Sequence, residues 1–269
     1  MILDCSYRLP GPLACKILQE NGYEVIKIEH DCKRDPFFSS SFNGSRTWYQ
    51  RFNNTKQTKT FNEVQFGKFL QGNHQIIKAA IIDEPSPFLN ILKKFSIKLI
   101  IISSSKEKKR PVHDLDILAK STYFTRDTSI PEVPFVGILF AQKIVSELYK
   151  TLLKSRNETF VYLDDLSHLL NLVSLDESNR FFAGQVLGYN KYKIKDGTLF
   201  LTALETKSWS EFLNYIGLEN KDNVHPGDSV QLSFYSDLMD KLQNMTKNCF
   251  STYEESRQCF TIIETHHIE

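Results

Sequence analysis

Two residues stand where acid–base chemistry could be built. His113 sits in "VHDLDILAKS", just ahead of a helical pattern, and Glu205 closes the apolar run "LFLTALE" before another helix. An imidazole that titrates near neutral pH, and a carboxylate at a strand's carboxyl edge, are groups that move protons. Each has a plain structural reading beside the chemical one. His113 serves equally as a residue hydrogen-bonded at a helix start, and Glu205 as a helix cap. The pair Asp164-Asp165 precedes an apolar helical run, where capping is the default reading. His266-His267 reads as a solvated tail, and the other histidines are scattered. Walker, GxGxxG, HExxH and GxSxG patterns are absent. The five cysteines (Cys5, Cys15, Cys32, Cys249, Cys259) form no CxxC and no metal spacing. They read as reduced thiols of a cytosolic protein. On these residues alone the function stays open.

The elements that must position such groups are clearer. "ILD" (Ile2 to Asp4) is a short apolar start. "GPLACKILQENG" sets Leu13, Ala14, Ile17 and Leu18 on one helical face, between Pro12 in the first turn and Gly22 at the stop. A strand around Val25, Ile26 and Ile28 follows, then a polar, aromatic-rich loop from His30 to about Asn54. Next come a helix near Val64 to Leu70, the strand "AAIID", a helix around Phe88 to Phe95 and the strand "KLIIIS". This succession predicts a Rossmann-like parallel sheet with flanking helices, its strands buried on both faces. Beyond Pro131 the pattern predicts a helix over Ala141 to Leu153, the strand "TFVYLDD" and a helix through "LSHLLNLV". A hairpin in "NKYKIKDGTLFLTALE" turns at Asp196-Gly197. A helix ending at Gly217, another from Phe234 to Lys247, a shorter one near Tyr253 and the strand "CFTIIE" complete the chain. The fold class is α/β, with the large part over residues 1–180 and a smaller α+β domain over 181–269.

Composition narrows the partners. A chain of 269 residues with 41% hydrophobic and 24% charged residues is ordinary for a globular protein. A net charge of +1 creates no field that favours nucleic acid. The basic run "KEKKRP" is local and reads as a solvated loop. No apolar stretch is long enough to cross a bilayer, and no signal-peptide pattern opens the sequence, so the expected location is the cytoplasm.

"RLPGPLACKILQENGYEVIKIE", Arg8 to Glu29, carries more than an amphipathic helix between two strands. With Leu3 and Asp4 before it, it resembles the start of the family III CoA-transferases (CaiB/BaiF type), closest to the α-methylacyl-CoA racemase branch. Those proteins open with a short strand, a Pro-Gly-Pro turn, a helix, a glycine and a strand ending Val-Ile-Lys-x-Glu. "RFNNTKQT" resembles their Leu-Asn-Arg-x-Lys-Arg-Ser element and keeps Asn53 and Lys56. "HDLDILAKS" is similar to the segment with a catalytic histidine, here His113. "YKIKDGTLFLTALETKSWSEF" is similar to the segment with its supporting glutamate, here Glu205. "CFTII" is similar to the family's "CVTPV" near the end.

The resemblance implies chemistry at the carbon α to a thioester carbonyl, with CoA or acyl-CoA as the cofactor and Asn53 and Lys56 among its contacts. Racemases of the family work between a glutamate-supported histidine and an aspartate, whereas the transferases use that aspartate as a nucleophile. Here the pattern breaks. Aligning the long helix "AQKIVSELYKTLL" with the family's puts Val136 at the aspartate position, and Leu139 and Phe140 where glycines belong. Arginines expected near CoA phosphates align with Asn54 and Ser86, which removes bidentate donors. The chain also reads as shortened, without the family's C-terminal return. Two functions remain in view. One is a protein that has lost catalysis and acts in binding or assembly, as a homodimer, with an active paralogue or within a larger complex. The other is an active racemase or epimerase using His113 and Glu205.

Overall fold

The computed structural model describes residues 1–39, 44–107, 113–120, 133–154, 157–173, 186–220, 223–230, 233–253 and 259–264. The chain forms two compact units, Met1–Ser174 and Leu175–Glu269. The boundary expected at 180/181 lies outside the described residues, as do His266-His267 and most of the basic run.

The first unit is built on a six-stranded sheet that is parallel throughout. Its elements are β1 (Ile2–Cys5), α1 (Pro10–Glu20), β2 (Val25–His30), α2 (Pro36–Ser39), α3 (Ser45–Asn53), β3 (Gln57–Phe61) and α4 (Glu63–Asn73). They continue with β4 (Ala79–Asp83), α5 (Leu89–Lys94), β5 (Lys98–Ser103), α6 (Asp114–Lys120), α7 (Phe135–Leu153), β6 (Glu158–Tyr162) and α8 (Asp165–Val173). The strand order β3-β2-β1-β4-β5-β6 is that of a Rossmann sheet, with its topological switch between β1 and β4.

Alternation along each strand feeds two cores. Ile2, Ile81 and Ile100 pack on one face with Leu18, Val136, Phe140 and Ile144. Leu3, Ile82 and Ile101 pack on the other with Phe66, Leu70 and Phe88. Burial on both faces is why these strands read as unbroken apolar runs.

Three expectations change. The segment expected to be a loop from His30 to Asn54 contains α2 and α3; Gly44 (φ 84°) is the N-cap of α3, which buries only Ser45, Phe52 and Asn53. "QTKTF" forms β3, an edge strand held by backbone pairing to β2 and not by burial. Helix α7 begins at Phe135, ahead of the expected Ala141, because Pro134 sets its N-terminus.

In the second unit, β7 (Tyr189–Ile194), β8 (Gly197–Thr202) and β9 (Phe260–Glu264) form an antiparallel sheet in the order β7-β8-β9. Helices α9 (Thr206–Ile216) and α10 (Ser233–Gln243) cover a core of Tyr192, Leu199, Trp209, Phe212, Phe234 and Leu238. The hairpin is present, but Ile194 pairs with Gly197, so Lys195 and Asp196 make the turn. Helix α10 stops at Gln243, and a single 3-10 turn at Lys247–Phe250 follows it. Among the described residues no helix is long and apolar enough to cross a membrane.

The Pro-Gly-Pro start of α1 has a steric cause. A Cβ at Gly11 would lie 2.2 Å from Ser6 Oγ and 2.9 Å from Ile102 Cδ1. Only glycine lets the helix begin so close to the loop after β1. Gly11→Ala should therefore destabilise the protein by about 1–3 kcal/mol through overpacking, read as a lower urea midpoint at unchanged m-value.

Candidate functional site

The carboxyl ends of β1, β2 and β4 hold a buried charge network at the switch point. Asp4 lies at its centre, with no exposed surface. Its Oδ1 accepts from the Ser6 backbone N–H at 3.1 Å and the Ser6 hydroxyl at 2.6 Å. Its Oδ2 accepts from Lys56 Nζ at 2.7 Å, and Lys27 Nζ stands 3.6 Å from Oδ1. Burial alone would raise the Asp4 carboxyl, but the two ammonium groups outweigh it and hold it well below the usual range. Lys27 donates to the Ser6 carbonyl and lies 4.0 Å from Asp35 Oδ2. Burial would lower its ammonium pKa, and Asp4, Asp35 and Glu29 reverse the sign.

Asn53 and Lys56, the two residues expected to contact the cofactor, lie in this network. Asn53 Nδ2 donates to the Tyr49 carbonyl at 2.9 Å, and its Oδ1 accepts from Lys56 at 3.0 Å. Lys56 also donates to the Pro12 carbonyl at 2.8 Å, so with Asp4 its three N–H donors all have acceptors inside the chain. The loop after β1 is committed as well. The Tyr7 N–H is taken by Asp83 Oδ2 at 2.5 Å, and the Arg8 N–H by Asp35 Oδ2 at 3.0 Å. In a dinucleotide-binding sheet such groups face a pyrophosphate. Here carboxylates occupy them.

Beside this network, the N-terminus of α7 packs against the start of α1. A Cβ on Gly137 would sit 2.8 Å from Leu9 Cδ2. Val136 is 1% exposed and belongs to the apolar core, and the first turn of α7 carries no acid. The carboxylate that does reach this turn is Asp114, whose Oδ2 accepts the Gly137 N–H at 3.0 Å. Burial pushes the Asp114 carboxyl up, against the opposing pull of the Gly137 N–H and of His113. His113 is exposed just before α6; its N–H donates to Asp116 Oδ2 at 2.9 Å and its carbonyl accepts from Ile117 at 3.2 Å.

Glu205 stands in the second unit as the N-cap of α9. It is exposed, its carbonyl accepts from the Trp209 N–H at 2.9 Å, and its carboxylate makes no capping bond. His113 and Glu205 are thus each placed at a helix start, in separate units. Sequence reasoning missed Asp35, Asp83 and Asp114 as members of the charged region. Their signal was a carboxylate at or just past a strand end ("AAIID") or next to a singled-out histidine ("VHD").

Two outcomes follow from the charge network. Asp4→Asn leaves two buried ammonium groups short of a counter-charge and should cost about 3–5 kcal/mol in urea unfolding. The partly buried Asp83 carboxyl is pushed up to about 7, first by burial, with Asp4 and Asp35 adding repulsion against Tyr7 N–H and Lys27. The unfolded value is about 3.9, so its contribution to stability is complete below about pH 4 and is lost as pH rises through about 7. Unfolding free energies between those limits should fall less steeply with pH in Asp83→Asn than in the parent.

No family model matches the chain, and no curated protein matches it either. Solved structures do. A hypothetical protein (Rv3272) from Mycobacterium tuberculosis superposes with a TM-score of 0.73 at 16% identity, over 98% of this chain and 82% of that one. A CaiB/BaiF family protein from Brucella suis gives 0.66 at 13% identity, over 92% and 78%. A mutant of Rv3272 with an aspartate replaced by alanine gives 0.63 at 18% identity, over 90% and 73%. In its fold, this chain resembles the family III CoA-transferases of the CaiB/BaiF type.

Proposed function

We propose that this chain is a CoA-transferase III or α-methylacyl-CoA racemase-like protein that has lost catalysis and acts as a binding, assembly or non-catalytic subunit in the cytoplasm. The observation that carries this reading is Val136. The family likeness assigns an aspartate to its position, and in this chain a hydrocarbon side chain there fills a buried core position. Valine cannot form an acyl anhydride, so the nucleophilic route has no starting atom. Racemisation between two bases loses one of them, at a cost of about 10²–10⁴ in rate. The inward commitment of Lys56 supports the same reading, since holding a CoA phosphate would take a donor from a buried carboxylate or carbonyl. A protein partner, as a homodimer, an active paralogue or a larger complex, fits the partly exposed Val133, Ile138 and Leu139 at the start of α7.

A second reading has its own support. Asp114 brings a carboxylate to the turn that holds Val136, next in sequence to His113. An active acyl-CoA racemase or epimerase would then use His113, helped by Glu205, with Asp114 standing in for the aspartate.

Heavy-water exchange separates the two. With a 2-methylacyl-CoA, the first reading predicts no enzyme-dependent deuterium uptake at the α-carbon and no inversion. Uptake that His113→Ala and Asp114→Asn each abolish, together with CoA binding, would establish the second reading.

A further inference from the structure

The small net charge of the chain hides a local imbalance. Between Cys32 and Asn62 stand Lys33, Arg34, Arg46, Arg51, Lys56 and Lys59 against a single acid, Asp35. Lys56 and Asp35 are buried and committed to the charge network, whereas Lys33, Arg34, Arg46 and Arg51 are exposed. We propose that this surface of α2 and α3 docks an acidic peptide segment of a protein partner, whose carboxylates the arginine forks hold. It extends the assembly reading by naming a partner chemistry; because it uses neither Val136 nor acyl-CoA, it can fail separately.

Aromatic rings hold the arginines in place. Arg34 and Arg46 lie 5.2 and 5.1 Å from the centroid of the Phe38 ring, and Arg51 lies 5.8 Å from that of Trp48. Phe38 is fixed edge-on by Tyr49 at 5.2 Å, and the Tyr49 hydroxyl donates to Glu29. Trp48 packs against the buried Phe52 at 5.6 Å. A guanidinium already resting on a ring loses less freedom when its N–H fork meets a carboxylate.

Those forks lack acids of their own. Among the described residues none of the three guanidinium groups makes a hydrogen bond or an ion pair. The acids near them in sequence are engaged elsewhere. Glu29 takes the Tyr49 hydroxyl, Asp35 takes the Arg8 and Phe37 N–H groups at 3.0 and 2.9 Å, and Asp31 takes the Cys32 N–H at 2.7 Å. Arg34 and Arg46 share one ring, so their like charges fall within roughly a Debye length, about 10 Å at 0.1 M salt. An incoming carboxylate relieves that repulsion. The rings themselves are half-buried with arginines over them, so they are poor platforms for stacking bases. Bidentate pairing with carboxylates therefore fits this surface better than the stacking that holds single-stranded nucleic acid.

Fluorescence anisotropy of a labelled octaglutamate peptide, titrated with the full chain and without CoA, tests the surface. We expect saturable binding of one peptide per chain. Arg34→Ala and Arg46→Ala, both at exposed positions, should each weaken it about tenfold. Arg46→Lys should weaken it nearly as much, because the ammonium keeps the charge and loses the fork. Lys191→Ala, at an exposed lysine of the second unit, should leave binding intact. Absence of peptide binding overturns the surface, and so does full affinity in Arg46→Lys, which would reduce it to diffuse charge. Tighter binding of oligothymidylate through the same arginines would overturn it in favour of nucleic acid. Displacement of the peptide by CoA would overturn it by assigning these arginines to the cofactor.

Discussion

The architecture turns on a single carboxylate, Asp4, buried between Lys27 and Lys56 where β1 ends. Charges of this kind persist in an apolar interior only when paired and fully hydrogen-bonded. Asp4 meets that condition by drawing on distant parts of the chain: Ser6 from its own loop, Lys27 from β2, and Lys56 from the turn after α3. The two ammonium groups then fix two carbonyls, Ser6 and Pro12, and with them the start of α1. Replacing such a cluster with apolar side chains is often neutral for stability, so its value here is geometric. It sets where the Pro-Gly-Pro turn sits, and so where α7 can pack.

The consequence for chemistry is a division of labour along one sheet edge. The switch point, where α/β proteins usually receive ligands, is filled by the protein's own carboxylates on the Tyr7 and Arg8 N–H groups. Next to it, the first turn of α7 presents Val136 to the core, and Asp114 caps the same turn from outside. The apolar packing of α7 is compatible with the fold and incompatible with an ionised group at position 136. A shared architecture does not by itself fix a shared activity.

Much of the scaffold was legible because burial on two faces leaves a plain mark. "VIKI", "AAIID" and "KLIIIS" could only be inner strands of a helix-covered sheet. Edge strand β3 was not legible, since "QTKTF" is polar and its stability lies in backbone pairing to β2. Helix α3 hid for a related reason, as its buried stripe is only Ser45, Phe52 and Asn53. The site was harder to read. A lysine inside an apolar strand advertises a buried partner, but nothing local says that Asp4 will be shared with Lys56.

The proposed loss of catalysis requires that no carboxylate takes the role of the aspartate expected at Val136. A crystal structure with a non-reactive acyl-CoA thioether tests it most directly. The expected result is either no bound nucleotide, or an α-carbon facing Val136 with no carboxylate oxygen near it. An Asp114 oxygen within about 3.2 Å of that carbon, opposite the His113 imidazole, would contradict it.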